Sequence, residues 1–184
     1  MRLFLIRHAR PDVTDGICYG RTDLPVRPEE HRTVLTQLMQ ALPRRVPIFS
    51  SPLKRCSELA ALLVEPLGSK AVIHDTRLAE MDFGAWEMRA WTDIPRAEID
   101  AWAAGLHSYR PGGGESVLGV AYRVRQLLNE LQAQQPDSVI VVCHAGTIRV
   151  LLACLSHSTL MDVARAAAQV PHSIGYGELI ALDC

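Results

Sequence analysis

Two short, unbroken apolar runs, each closed by a histidine, constrain this chain more than any other feature. Leu3-Phe4-Leu5-Ile6 runs into Arg7-His8, and Val139-Ile140-Val141-Val142-Cys143 runs into His144-Ala145-Gly146. Runs of this kind suit strands buried on both faces, as in a parallel sheet covered by helices. In such sheets ligands bind beyond the carboxyl ends of the strands. Two imidazoles and a guanidinium delivered to that edge suit an anion, above all a phosphoryl group.

At 184 residues the chain is most simply one domain, long enough to bury roughly 70% of its unfolded surface. Its net charge of −1 gives no reason to expect nucleic acid or an anionic membrane as partner. Lysine occurs only at Lys54 and Lys70, and the heavy use of arginine is read as compositional rather than as a basic patch. Five cysteines (Cys18, Cys56, Cys143, Cys154, Cys184) form an odd set without a C-x-x-C pair, which points to free thiols in a reducing cytosol. Arg7 and His8 interrupt the first apolar run too early for a signal peptide, and no run approaches the ~20 apolar residues of a membrane span. The expected location is cytoplasmic.

Turn residues fill the stretch from Ala9 to Arg27. Pro28 then opens a helix carrying Val34, Leu35, Leu38 and Leu42 on one face. Ile48-Phe49 reads as a short strand, and Ser51-Pro52 as N-cap and first position of a helix that buries Leu53, Cys56, Leu59, Ala60 and Leu63. Arg55 falls in its first turn, where the free N–H groups and the helix dipole favour an anion. Ala71-Val72-Ile73 is another strand. From Leu78 to Pro111 the pattern is irregular and holds Trp86, Trp91, Trp102 and Tyr109, expected to pack as a cap of short helices. Pro111-Gly112-Gly113-Gly114 reads as a flexible turn or hinge at a site mouth. Val117, Val120, Ala121, Val124, Leu127, Leu128 and Leu131 then recur at helical spacing. A helix opened by Gly146-Thr147 follows the second apolar run, and Leu179-Ile180-Ala181-Leu182 is a last, edge strand. Strands alternating with helices predict an α/β fold, a three-layer sandwich with a mostly parallel central sheet and helices on both faces.

The chemistry falls to a few positions. A neutral imidazole at His8 can attack phosphorus, provided one ring nitrogen is tied down and the other keeps its lone pair. A backbone carbonyl in the Ala9–Asp15 loop would serve as the tie. Arg7 and Arg55 are suited to neutralise phosphoryl oxygens. His144 is either a third cationic or donor group there or a cap on the helix that follows. A departing alkoxide needs a proton, for which Glu80, beside the apolar Met81 and Phe83, is the best candidate. Asp82 and Glu87 are its rivals.

Leu5-Ile6-Arg7-His8, Ser50-Ser51-Pro52-Leu53-Lys54-Arg55, Leu78-Ala79-Glu80 with Phe83-Gly84 and Trp86-Glu87, Gly113-Gly114-Glu115-Ser116 and Val142-Cys143-His144-Ala145-Gly146-Thr147-Ile148-Arg149 resemble, in order, five motifs of the histidine phosphatase superfamily, the phosphoglycerate-mutase-like fold. The resemblance implies one domain over residues 1–184 with a cap-like insertion at about 78–115. It implies His8 as phosphorylated nucleophile, Arg7, Arg55 and His144 as phosphate pocket, and Glu80 as proton donor, with Arg21 and Ala145 also touching substrate. No cofactor or metal is implied, and the partner is a small-molecule phosphate ester. Tyr19-Gly20-Arg21-Thr22-Asp23-Leu24-Pro25 is similar to a stretch of α-ribazole phosphatases.

The chain departs from the family pattern at Ala9, Arg10-Pro11 and Met88, where glycine, Glu-Thr and glycine are common. These departures leave the charged core intact and bear on substrate choice. Three readings compete with a phosphomonoesterase. A phosphoglycerate-type mutase shares the pocket. A non-catalytic phospholigand-binding module is disfavoured because all five charged or imidazole positions remain. A metal hydrolase is disfavoured because the seven histidines show no H-E-x-x-H or similar spacing.

Overall fold

Strand alternation sorts the apolar runs onto two faces and so builds both cores. The computed structural model describes residues 1–169 and 173–184. In β1 (Arg2–Arg7), Leu3 and Leu5 point one way and Phe4 and Ile6 the other. β4 (Ser138–Cys143) does the same with Val139, Val141 and Cys143 against Ile140 and Val142. The first set packs under α4 (Val117–Gln134), α5 (Ala145–Ser156) and α6 (Leu160–Gln169). The second packs under α1 (Pro28–Leu38) and α2 (Lys54–Leu67). The three layers are therefore helix, sheet, helix, as the sequence pattern predicts.

The sheet has the order β3-β2-β4-β1-β5, with β2 spanning Ile48–Ser50, β3 Val72–His74 and β5 Leu179–Asp183. β1, β2, β3 and β4 run parallel, and β5 closes the edge antiparallel to β1. Register fixes the site. Arg7 lies opposite Cys143, and the His8 N–H extends the ladder to the Cys143 carbonyl at 3.0 Å. His8 and His144, 136 positions apart in sequence, thus leave neighbouring strands at one level.

Several local expectations shift. α1 ends at Leu38, and Leu42 lies beyond it while still buried in the same layer. α2 starts at Lys54 with Leu53 as N-cap, not at Ser51-Pro52. The reason is tertiary: the Asp23 carboxylate, from the loop after β1, accepts from the Lys54 N–H at 2.7 Å and caps the helix from outside. α6 had no counterpart in the sequence reading. Between Leu78 and Pro111 the chain forms 3-10 turns and α3 (Arg96–Ala104). Trp86 is fully buried there with Cys18 and Ile94, and Phe83, Ile99, Trp102 and Tyr109 pack around them.

The glycine run at 112–114 is no loose hinge. A Cβ on Gly112 would lie 2.3 Å from the Phe83 carbonyl oxygen and one on Gly114 2.2 Å from that of Asp82. The run is glycine because two backbones touch there. Among the described residues no helix is long and apolar enough to cross a membrane.

Met88 has φ 63° and is 49% exposed. A side chain in this left-handed region costs about 1–2 kcal/mol, more than the ~0.5–1 kcal/mol of chain entropy glycine loses on folding. Met88→Gly is therefore expected to raise stability by up to about 1 kcal/mol, read as a higher urea midpoint at unchanged m-value.

Candidate active site

His8 is 2% exposed, and its Nδ1 donates to the carbonyl of Ala9 at 2.7 Å. A carbonyl only accepts, so Nδ1 carries the proton and the neutral ring keeps its lone pair on Nε2. Among the described residues no group bonds Nε2. The ring lines a cavity of about 380 Å³ together with Arg7, Arg55, Glu80 and Ala145. The tie expected from the loop after β1 is thus the carbonyl of the very next residue.

Arg55 is wholly buried at the start of α2. Its Nη1 donates to the Thr22 carbonyl at 2.8 Å, Nη2 to that of Gly20 at 2.5 Å, and Nε to Nδ1 of His144 at 3.2 Å. Arg7 donates from Nη1 to the Ile174 carbonyl at 2.5 Å and lies 3.8 Å above the Tyr176 ring, while among the described residues its buried Nε has no partner. Among the described residues neither arginine is paired with a carboxylate. Two guanidiniums held by neutral acceptors leave their positive charge facing the cavity.

His144 lies beside His8, with ring centroids 5.0 Å apart and planes at 62°. It occupies the N-cap position of α5 but makes no capping bond with its side chain. Because Arg55 Nε can only donate, Nδ1 of His144 is an acceptor, and its Nε2 proton goes to Ser51 Oγ at 2.8 Å. The ring is therefore neutral here and braces Arg55; of the cationic, donor and capping roles open in the sequence, it is not the cap, and its one N–H is spent on Ser51.

Glu80 is fixed from several sides. Oε1 accepts from the Met81 N–H and Oε2 from the Gly146 N–H, each at 3.0 Å. A Cβ on Gly146 would lie 2.5 Å from Oε1, so only glycine lets α5 approach the carboxylate. Arg123 of α4 donates to the carbonyls of Arg77, Ala79 and Glu80 while held by Glu115. Thr147 adds a bond to the Ala79 carbonyl. The rivals of Glu80 are structural: Asp82 accepts from the Gly84 N–H at 2.7 Å, and Glu87 accepts from the N–H groups of Arg21, Thr22 and Phe83 and from the Thr22 hydroxyl. Arg21 is exposed and outside the cavity lining, its backbone rather than its side chain tied into the site.

Tyr19, Tyr176, Ser51 and Arg149 were not among the expected site residues. Tyr19 and Tyr176 meet hydroxyl to hydroxyl at 2.8 Å, and Arg149 lines the cavity from α5. Arg149 was visible in its motif, and Tyr176 had only a glycine on either side to mark it. Among the described residues no cluster of His, Cys, Asp and Glu is suited to hold a metal ion. Of the seven histidines weighed as ligands, His172 lies outside the described residues.

Burial first, then the nearby Arg55 charge, hold both His8 and His144 well below the ordinary imidazole value of 6.5. As pH falls through about 6.5 the unfolded chain takes up these protons before the folded one, so stability is full above that value and lost below it. The melting temperature should fall between about pH 7 and about pH 5, and His144→Asn should flatten that fall. Glu87→Gln should release the Gly20–Thr22 carbonyls from Arg55. It is expected to cost about 1–3 kcal/mol of stability and to lower anion affinity, measured as the dissociation constant of inorganic phosphate or vanadate.

The profile of the histidine phosphatase superfamily (branch 1) matches residues 3–174. A glucosyl-3-phosphoglycerate phosphatase of Mycobacterium tuberculosis is 34% identical over 173 residues, covering 84% of this chain and 74% of that protein. An adenosylcobalamin/α-ribazole phosphatase of Salmonella typhimurium is 29% identical over 164 residues, covering 84% and 79%. The fold matches the α-ribazole phosphatase structure from Shigella flexneri with TM-score 0.81 and 25% identity, over all of this chain and 90% of that one. It matches a mycobacterial glucosyl-3-phosphoglycerate phosphatase in complex with inorganic phosphate with TM-score 0.75 and 28% identity, over 99% and 89%. With the motifs in order, the sheet in this topology and the two histidines side by side, the chain belongs to the histidine phosphatase superfamily.

Proposed function

We propose that this protein is a metal-independent phosphomonoesterase that works through a phosphohistidine on His8. One observation carries the reading. The Nε2 lone pair of a neutral, backbone-tied imidazole faces a cavity in which two guanidiniums have, among the described residues, no carboxylate partner. Relatives that bear phosphatase names support hydrolysis over mutase chemistry.

In the first step Nε2 attacks phosphorus in line, an N–P bond forms, and the P–O bond to the alcohol breaks. Arg7 and Arg55 balance charge on the transferring oxygens. Glu80, in its acid form, gives its proton to the departing alkoxide. In the second step the Glu80 carboxylate takes a proton from water, the water oxygen attacks phosphorus, and the N–P bond breaks. Phosphate leaves with His8 neutral and Glu80 protonated again. His144 acts here by positioning Arg55 beside the nucleophile. Substrate is a small phosphate ester, for which the long stretch shared with the α-ribazole and glucosyl-3-phosphoglycerate enzymes offers two starting candidates.

His8→Ala should abolish phosphate release. Glu80→Gln should slow it by about 10²–10⁴-fold and let labelled phosphate accumulate as an acid-labile, base-stable adduct on His8. Undiminished turnover by His8→Ala would end this mechanism, and isomer formation from 3-phosphoglycerate without phosphate release would turn the reading to a mutase.

A further inference from the structure

The cavity has two chemically different halves. Its charged and hydroxyl-bearing lining comes from β1, the loop after it, α2, Glu80 and Arg149. Arg149 belongs to the same end, where Glu80 answers part of its charge. The remaining wall is apolar. Phe83, Trp91, Trp102 and Leu106 supply one side and Val117 and Val120 of α4 the other. The three large rings are ordered. Trp91 and Trp102 lie nearly parallel, at 8° with centroids 6.0 Å apart, and Phe83 stands at 88° to both. Trp91 remains 37% exposed and reaches solvent.

Such a wall discriminates between alcohols. A sugar or serine group placed against it surrenders hydrogen bonds to water and finds in return only indole N–H donors, of which that of Trp102 is buried from the cavity surface, and no acceptor side chain. A flat apolar group loses nothing and gains burial against ordered aromatic faces and edges. The volume, about 380 Å³, exceeds what a phosphoryl group alone needs and falls within the range of sites for small organic ligands.

From this division of the cavity we infer that the substrate is a phosphomonoester whose alcohol carries a flat, apolar or aromatic ring, seated against the cluster of Phe83, Trp91 and Trp102. The inference rests on the phosphatase reading above, and it sets this chain apart from enzymes whose alcohol is a polyol or an amino acid.

The test compares primary alkyl phosphates of similar leaving-group basicity, so that differences report on the alcohol's body rather than on chemistry. Phosphate release is followed for 2-phenylethyl phosphate, sn-glycerol 3-phosphate and O-phosphoserine with the unaltered protein. The ring ester should show kcat/KM about tenfold or more above the other two, as burial of even part of a ring's surface yields. In Trp91→Ala and Trp102→Leu that ratio should fall toward one. Trp91→Ala is the decisive variant because its side chain is partly exposed, and circular dichroism checks that each is folded. As a measurement free of substitution, 2-phenylethanol should inhibit competitively, and glycerol at equal concentration should not. Hydrolysis of all three esters with equal or greater kcat/KM for the polar ones overturns the ring assignment and leaves the phosphatase standing. A ring preference untouched by a folded Trp91→Ala moves the subsite elsewhere and overturns it too. No release from any ester, and no phosphohistidine, removes the phosphatase reading and this inference with it.

Discussion

The site depends on a guanidinium taken out of water with no counter-ion among the described residues. Burying Arg55 is costly unless its N–H groups are satisfied. The structure satisfies them with two backbone carbonyls and an imidazole lone pair, all neutral. That choice keeps the positive charge uncancelled, and the same charge helps to hold His8 and His144 neutral. The proposed nucleophile and the proposed anion hole are therefore one electrostatic arrangement. A carboxylate beside Arg55 would relieve its burial and, by the same act, weaken the hold on a phosphoryl group.

The surroundings follow from this requirement. The loop after β1 has to present the Gly20 and Thr22 carbonyls to Arg55, and Glu87 grips the N–H groups of the same segment from the far side. Asp23, one residue on, caps α2 and so fixes Arg55 at the base of its helix. Arg123 and Glu115 do the equivalent for Glu80, with Arg123 binding the carbonyls of Arg77, Ala79 and Glu80. Arg55 and Glu80 are thus each placed through polar bonds to backbone.

Much of this was legible in the sequence. Apolar runs of four or five residues named the central strands, and the residues after them named the sheet edge. The motif order then pointed to His8, Arg7, Arg55, His144 and Glu80. What escaped was tertiary in origin. Asp23 caps a helix 31 positions away, so Ser51-Pro52 looked like the start of α2. The state of His144 depends on which partner donates to it, and no spacing rule carries that. Glu87 and Asp82 were indistinguishable from Glu80 as loop acids until the cavity was placed, which Glu80 lines and they do not. Tyr176 reaches the site only because β5 returns beside β1.

The bond from His8 Nδ1 to the carbonyl of its own neighbour has a bearing on how this lineage can drift. The acceptor belongs to the main chain, so no exchange of side chain at position 9 deletes it. Alanine there in place of the common glycine is accordingly silent for the tautomer. What limits exchange at position 9 is space, since Ala9 is wholly buried in the layer under α1 and α2, while the acceptor that fixes the tautomer stays with the main chain.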